Sequence, residues 1–383
     1  IAGLTYFMNA ARRLAFGAVD AGEKPSVISA IVKAYLTEGS RVCINDAMDI
    51  HAGAAICRGP SNIYTRPFNA IPVGITVEGA NILTRSLIIF GQGVIRCHPF
   101  VLREMEAAKT GDVRSFDQAF FGHIGHISKN IIRALLLGVS NGGIASSPVN
   151  GFEARYYRDI NRFSAAFALI SDVALGTLGG ALKRKEYLSG RLSDAFSWMF
   201  LATAALKHFY DNGRPESERA MLDWTCTHAI NEIETALLGV LANLPNRFAS
   251  RVTKILTFPF GSRYSPLTDS QIDAVAEAIT TNIEARNAVT AEIFIPGPDD
   301  PGLGALEHVF TRTLAAGPAR NKLDQARREG KLAEDKVIAM ANDAVKEGIL
   351  SEAEKILIEE VEQLREAIIQ VSDFDQVTYD QLK

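Results

Sequence analysis

Glu78 stands in ITVEGANILTR, residues 75–85, behind an apolar run and just before Gly79 and the start of a helix-like pattern. A carboxylate set among apolar residues without a neighbouring cation is desolvated; its charged form is penalised, its pKa rises, and it becomes a proton acceptor. The same residue type suits the first turn of a helix, where the macrodipole favours negative charge. The residues alone leave both uses open. His123 and His126, in FGHIGHISKN, stand three apart on one helical face, a spacing able to share a metal ion. No third ligand accompanies them at useful spacing, so no metal site is expected. FPFGSRYSPLTD, residues 258–269, mixes aromatics with Arg263 and reads as a surface loop anchored by its aromatics, ahead of a nucleotide contact. No phosphate-binding loop occurs, and Gly91-Gln92-Gly93 lies inside a helical pattern instead of following a strand. Neither Ser-His-Asp nor Cys-His catalysis has a local signature.

The elements that position these residues must come from a long chain. At 383 residues, with 47% hydrophobic and 22% charged side chains, there is material for two or three packed domains. A net charge of −4 argues against a general nucleic-acid partner, which would need a basic face. Cys43, Cys57, Cys97 and Cys226 show no paired spacing, which points to a reducing compartment. The first residues, IAGLTYFMNAARR, lack a basic segment and a cleavage site, so no signal peptide is expected and the chain is expected to begin inside a larger protein. The longest uncharged run, Ala134 to Phe152, contains Asn141-Gly142-Gly143 and Pro148; it reads as a helix end and a loop, and no bilayer span is expected.

Leu4, Phe7, Met8, Ala11, Leu14, Ala15 and Ala18 recur at helical spacing, and Asp20-Ala21-Gly22 supplies a stop. A second helix is expected from Pro25 to about Ile50, then a long ordered loop from His51 to Val77 punctuated by glycine and proline, then a third helix from about Ala80 to Val94. Further helical patterns cover about 116–139, 152–186, 189–211, 215–243, 268–288, 302–315 and 331–370, the last with a capping box at Ser351 to Glu354. The one strand candidate is Ala291 to Ile295. The fold class expected is therefore all-α, helix bundle on helix bundle, with the charged stretch 319–370 as a solvated face.

Two segments, NDAMDIHAGAAI (45–56) and VEGANILTR (77–85), resemble the C-terminal helical domain of FAD-dependent acyl-CoA dehydrogenases. The longer strings GITVEGANILTRSLIIFGQGVIRCHPF (74–100) and LGTLGGALKRKEYLSGRLSDA (175–195) are similar to the long bacterial fatty-acid-degradation (FadE) type. The resemblance implies an acyl-CoA dehydrogenase C-terminal helical domain, partial, over residues 1–109, and a large α-helical C-terminal extension over 110–383. The family's N-terminal helical domain and middle β-domain would precede Ile1, and the chain by itself would be inactive.

By that resemblance Glu78 is the catalytic base, removing the α-proton of a medium- or long-chain fatty acyl-CoA while the β-hydrogen leaves as hydride to FAD. The product is a trans-2-enoyl-CoA. The backbone N–H of Glu78 would serve the thioester carbonyl, with Gly79 allowing close approach. Asp49, Ala52 and Gly53 match the loop that reaches the flavin of a neighbouring subunit, and Ala80 matches a further cofactor position. Asp49 stands where the family commonly has Gln, Ala52 where it has Gly, and Ala80 where it has Thr. Arg85 is kept, in a structural role. Implied partners are the acyl-CoA substrate, an electron-transfer flavoprotein or a membrane redox partner, and a second copy in a homo-oligomer. The implied location is the bacterial cytoplasm, with the inner-membrane surface as an alternative. Two readings from another class stand beside this one: a non-catalytic helical interaction module, and a membrane-surface docking role for residues 110–383, whose amphipathic helices buried bundle faces also explain.

Overall fold

A computed structural model describes residues 1–93, 97–333 and 336–381 of the chain. Among the described residues there is no strand; the chain is all-α, as expected. Its internal contacts divide it into two compact units, one of residues Ile1–Ser40 with Val73–Thr290, the other of Arg41–Pro72 with the chain from Ala291 onward. Residues on either side of position 110 lie together in the first unit.

The first unit opens with α1 (Ala2–Asp20), which buries Tyr6, Phe7, Ala10, Ala11 and Ala15 on one face and stops where Gly22 turns left-handed at φ 87°. α2 (Ser26–His51) begins here and continues into the second unit. The region expected as a long loop contains two helices, α3 (Gly53–Ile56) and α4 (Thr65–Thr76). Pro67 falls in the first turn of α4, where a helix needs no N–H, and Pro72 inside it costs one backbone hydrogen bond without ending it. α5 (Asn81–Gln92) follows at a bend of 43° to α4. Its larger part, Thr84–Gln92, is wound as a π-helix. The expected end of this helix at Val94 lies outside the described residues.

Then come α6 (Val101–Thr110), α7 (Val113–Val139), α8 (Ala154–Leu178) and, past a 3₁₀ turn at Gly179–Arg184, α9 (Glu186–Asp211). α10 (Arg219–Asn243), α11 (Arg247–Thr257), α12 (Asp269–Thr281) and α13 (Ile283–Thr290) complete the unit. α9 is the axis. It buries residues on every side, Leu188, Leu192, Ala195, Met199, Leu201, Ala205 and Phe209 among them, and packs against α1, α5, α8 and α10. Its exposed residues are confined to the first turn and to Thr203, Lys207, Tyr210 and Asp211 near its end, so for most of its length it is a core helix. Ala154–Arg184 is long and apolar enough to cross a membrane by length and composition, yet its Phe163, Leu169 and Ile170 are fully buried in this bundle.

The stretch 258–269 is a loop, as expected, and the buried Glu234 anchors it. That carboxylate accepts from Ser262 Oγ at 2.6 Å and from the backbone N–H of Arg263 and Tyr264 at 3.2 Å each. Phe258 is buried beneath it, and Tyr264 donates its O–H to Asp159 at 2.6 Å.

In the second unit α14 (Leu303–Arg328) packs on α16 (Glu352–Ile369), and α15 (Val337–Lys346) packs on both. Leu323, Leu332, Ala341, Ala344, Leu350 and Ile358 form their small core. The capping box is present: Ser351 Oγ accepts from Glu354 N–H at 3.3 Å, and Glu354 accepts from Ser351 N–H at 2.8 Å. Arg312–Glu360, Arg320–Glu362 and Lys322–Glu354 pair across the outer surface, the solvated charged face expected there. A short terminal helix, α17 (Gln376–Gln381), follows. Residues 291–295 are a turn and coil, not a strand, because no other strand is at hand to complete a ladder among the described residues.

His228, on α10, lies edge-on to Trp198 at 4.9 Å between centroids and stacked on Trp224 at 5.1 Å. Burial against the indoles disfavours the imidazolium and lowers its pKa below the usual 6.5. The unfolded chain therefore takes up this proton first as pH falls. The stabilisation is complete above 6.5 and is lost as pH drops from there through the lower folded-state pKa. Urea midpoints measured between pH 7.5 and 5 are expected to fall more steeply for the wild type than for His228→Gln; parallel pH dependences would refute this coupling.

Candidate functional site

The bend between α4 and α5 is made by two consecutive residues in the left-handed region, Glu78 at φ 55° and Gly79 at φ 88°. Glycine adopts that conformation freely, but glutamate pays for it, and such outliers persist only where the surroundings hold them. Here the surroundings are specific. Lys33, on α2, donates its ammonium to Gly79 O at 2.7 Å, to Asn81 Oδ1 at 2.7 Å and, more weakly, to Ile75 O at 3.4 Å. One cation thus satisfies carbonyls at the end of α4 and in the turn, where helix termini leave acceptors without partners. Asn81, itself buried, turns its amide the other way and donates to Ala34 O at 3.3 Å, Thr37 Oγ1 at 2.9 Å and Glu38 Oε1 at 3.0 Å. Thr84 Oγ1 adds a bond to Gly79 O at 3.2 Å.

Glu78 itself is exposed, which corrects the expectation of a carboxylate already desolvated by its neighbours. Nor is it a first-turn helix residue, since α5 starts at Asn81 and the capping position is Ala80. The apolar residues that made it look enclosed, Val73, Val77, Ile82 and Leu83, are exposed as well, so the chain itself does not desolvate the carboxylate.

Arg85 leaves the π-helix toward α9 and forms a two-pronged ion pair with Asp194, its Nε lying 2.6 Å from Oδ1. Tyr35 donates its hydroxyl to the same oxygen at 2.7 Å, and burial, reinforced by that carboxylate, pushes its pKa up. The guanidinium crosses α9 over Gly190, where a Cβ would come within 2.8 Å of Arg85 Nη1. The two segments singled out in the sequence, 74–100 and 175–195, are therefore fastened to each other by Arg85 and Asp194. The structural role expected of Arg85 is the one seen.

Asp49, Ala52 and Gly53 belong to the second unit, and Glu78, Gly79 and Ala80 to the first. Asp49 is exposed near the end of α2; Ala52 is exposed with φ 46°, and Gly53, also exposed, opens α3. The main chain at Ala52 is turned out of helical geometry, and the side chain of Val371 lies over Gly53, where a Cβ would come within 3.2 Å of its Cγ1. The sequence reading missed Lys33, Asn81 and Asp194. The partners named above lie at least 42 residues away along the chain, and no local spacing marks them.

Residues 95–374 match the family described as acyl-CoA dehydrogenase, C-terminal, bacterial type. Among solved structures, an acyl-CoA dehydrogenase from Bacillus anthracis complexed with FAD shares the fold, with a TM-score of 0.53 at 15% identity. The match covers 72% of this chain and 47% of that one, so the chain spans about half the length of that enzyme.

Asn81→Ala removes the hub of the turn and leaves Lys33 and Thr37 short of partners. A loss of about 1–3 kcal/mol in denaturant unfolding is expected. A loss under about 0.5 kcal/mol, the usual range of indifferent surface changes, would mean that the network does not hold the bend.

Proposed function

Because the chain belongs to the bacterial-type acyl-CoA dehydrogenase C-terminal family, we propose that it forms the C-terminal part of an FAD-dependent dehydrogenase of medium- or long-chain fatty acyl-CoA, with Glu78 as the base. In this reading residues 1–109 complete the catalytic helical domain and 110–383 are its extension. The observation that carries the assignment is the backbone of Glu78: a non-glycine residue held at φ 55° by a buried network, its carboxylate presented outward. Strain of that kind is retained where a side chain has to be aimed.

The chemistry asked of Glu78 is to accept the α-proton of the thioester. Bound FAD supplies the acceptor for the β-hydrogen, which leaves with its electron pair as the C–C double bond forms. A thioester α-proton is weakly acidic, so the carboxylate has to lose water on binding and become a stronger base. The exposed Val73, Val77, Ile82 and Leu83 suit an acyl chain that would cover it. Lys33 spends its donors on Gly79 O and Asn81, so it holds the turn and leaves Glu78 without a neutralising bond. The N–H of Glu78 is offered to the developing enolate oxygen, and preorganised donors of that kind are a large term in such reactions. Asp49, Ala52 and Gly53 would meet the cofactor, the Asp49 carboxylate suiting a ribose hydroxyl or an amino group. The partners in this reading are an electron-transfer flavoprotein or a membrane redox carrier and a second copy of the chain. The full-length protein would act in the bacterial cytoplasm or at the inner-membrane surface.

Glu78→Gln in the full-length protein tests the assignment by anaerobic flavin bleaching with palmitoyl-CoA. The wild type is expected to bleach and the variant to stay yellow, slowed by at least 10²-fold, the lower range for general-base catalysis. Bleaching of the variant at the wild-type rate would move the base elsewhere.

A second reading, docking to a membrane surface, is favoured by α7, which leaves Phe120, Phe121, Ile124, Ile132, Leu136 and Val139 exposed. Flotation with vesicles of anionic phospholipid is expected to carry the protein upward and to lose Phe121→Ser with Ile132→Ser. No flotation of the wild type would remove this reading.

A further inference from the structure

Several polar side chains that the proposed chemistry does not use converge on Asp172 of α8. They are His98 just before α6, Glu104 on α6, and His123, His126 and Asn130 on α7. Asp172 is buried, with 7% of its surface exposed, and its hydrogen-bond partners are neutral. Asn130 Nδ2 donates to Oδ2 at 3.1 Å, and His98 Nε2 lies 3.1 Å from Oδ1. The tautomer of His98 follows from its other nitrogen: Nδ1 accepts the backbone N–H groups of Phe100 at 3.2 Å and Val101 at 3.1 Å, so the proton is on Nε2 and points at the carboxylate. A cation beside a buried carboxylate served by neutral donors would offset the cost of burying its charged form.

His123 shows where the cation would sit. Its Nδ1 is 2.9 Å from Glu104 Oε1, while its Nε2 is buried, has no hydrogen-bond partner and lies 3.9 Å from Asp172 Oδ1. A carboxylate on one ring nitrogen fixes the tautomer and raises the basicity of the other, which is the outer-shell arrangement typical of metal-bound imidazole. His126, one helical turn on, places a ring nitrogen within 4.8 Å of the ligand atoms of both His98 and Asp172.

We propose that Asp172, His123 and His126 bind one divalent transition metal ion of the zinc class, with His98, Asn130 and Glu104 orienting the ligands. Metal–ligand bonds of about 2.0–2.2 Å put tetrahedral ligand pairs roughly 3.4 Å apart. His123, 3.9 Å from Asp172, and His126, within 4.8 Å of it, approach the carboxylate from two neighbouring cavities and both have to turn toward it to share an ion. Two imidazoles and one carboxylate suit zinc, cobalt or iron, not magnesium or calcium, which take oxygen ligands. Asp172, His123 and Glu104 also line a cavity of about 620 Å³ that includes Phe120, Lys183 and Ser189. Asp172 and His123 thus stand at the wall of a cavity large enough for water or an anionic ligand. No metal was expected from the sequence because the histidine pair lacked a third ligand; the fold brings one in from the next long helix.

The test is titration of Co(II), then Zn(II), into chelator-treated intact protein, followed by visible absorption and calorimetry. One equivalent is expected to bind with visible bands of low-coordinate Co(II), to raise the thermal midpoint, and to be displaced by Zn(II). His123→Gln and His126→Gln are expected to weaken binding at least ten-fold, while His228→Gln binds as the wild type does. No saturable binding of either ion, or equal binding by both ligand variants, overturns the proposal. Should the variants fail to fold, the histidine ring resonances of the wild type decide it: one equivalent of Zn(II) has to shift those of His123 and His126, and shifts confined to other histidines overturn the site.

Discussion

The ammonium of Lys33 is the interaction on which the region around Glu78 depends. Two left-handed residues in succession would unravel in water, since nothing local rewards the strain of a glutamate at φ 55°. Lys33 replaces the water that the carbonyls of Ile75 and Gly79 would otherwise seek, and it hands the remaining bond to Asn81, whose amide is anchored on the next turn of the same helix. The bend is thereby tied to α2 at two levels. A charged donor is suited to this task because charge-assisted hydrogen bonds are about twice as strong as neutral ones.

A second tie sets the position of the helix that follows. Arg85 could reach Asp194 only if its helix brought it to face α9 and if α9 were bare where the guanidinium crosses; the π-winding and Gly190 meet these two conditions. Tyr35 closes the arrangement from α2, so three helices share the Asp194 carboxylate. The ion pair stands on a helix that carries a large share of the buried core of the unit. Geometry at the bend is inherited from that core.

What the sequence disclosed follows the range of the interactions. α1, the stop at Gly22, the capping box at Ser351 and the end of α7 before Asn141-Gly142-Gly143 depend on residues within a few positions of one another, and they could be read directly. α4 was missed because Pro67 and Pro72 suggested a break, although a first-turn proline costs nothing and tertiary contacts outweigh one lost bond. Two helical patterns ran longer or shorter than the helices themselves: α14 passes through Pro318 to Arg328, and the stretch 331–370 is divided between α15 and α16. At the site, Glu78 and Gly79 stood out in the sequence but took a role only from the resemblance, and the exposure of Glu78 was not legible, since a pattern of apolar residues does not say which of them find a partner. Lys33 and Asp194 are brought in by tertiary packing and leave no trace in spacing; of the cluster around Asp172, only the pair His123 and His126 does.

The π-helical stretch has a further meaning for how this chain tolerates change in length. A π-ladder accommodates more residues per turn than an α-ladder, so Thr84–Gln92 behaves as an α-helix holding extra residues in reserve. Removing one residue there would let the segment relax to the commoner winding, and the chain beyond it would turn by less than the roughly 100° that a deletion costs a plain α-helix, because the tighter winding of the remaining residues works against the loss. The segment is thus a phase adjuster between the bend and the chain that follows, able to absorb an insertion in one lineage or return it in another. The bundle around it would register the difference as a turned helix and not as a broken one.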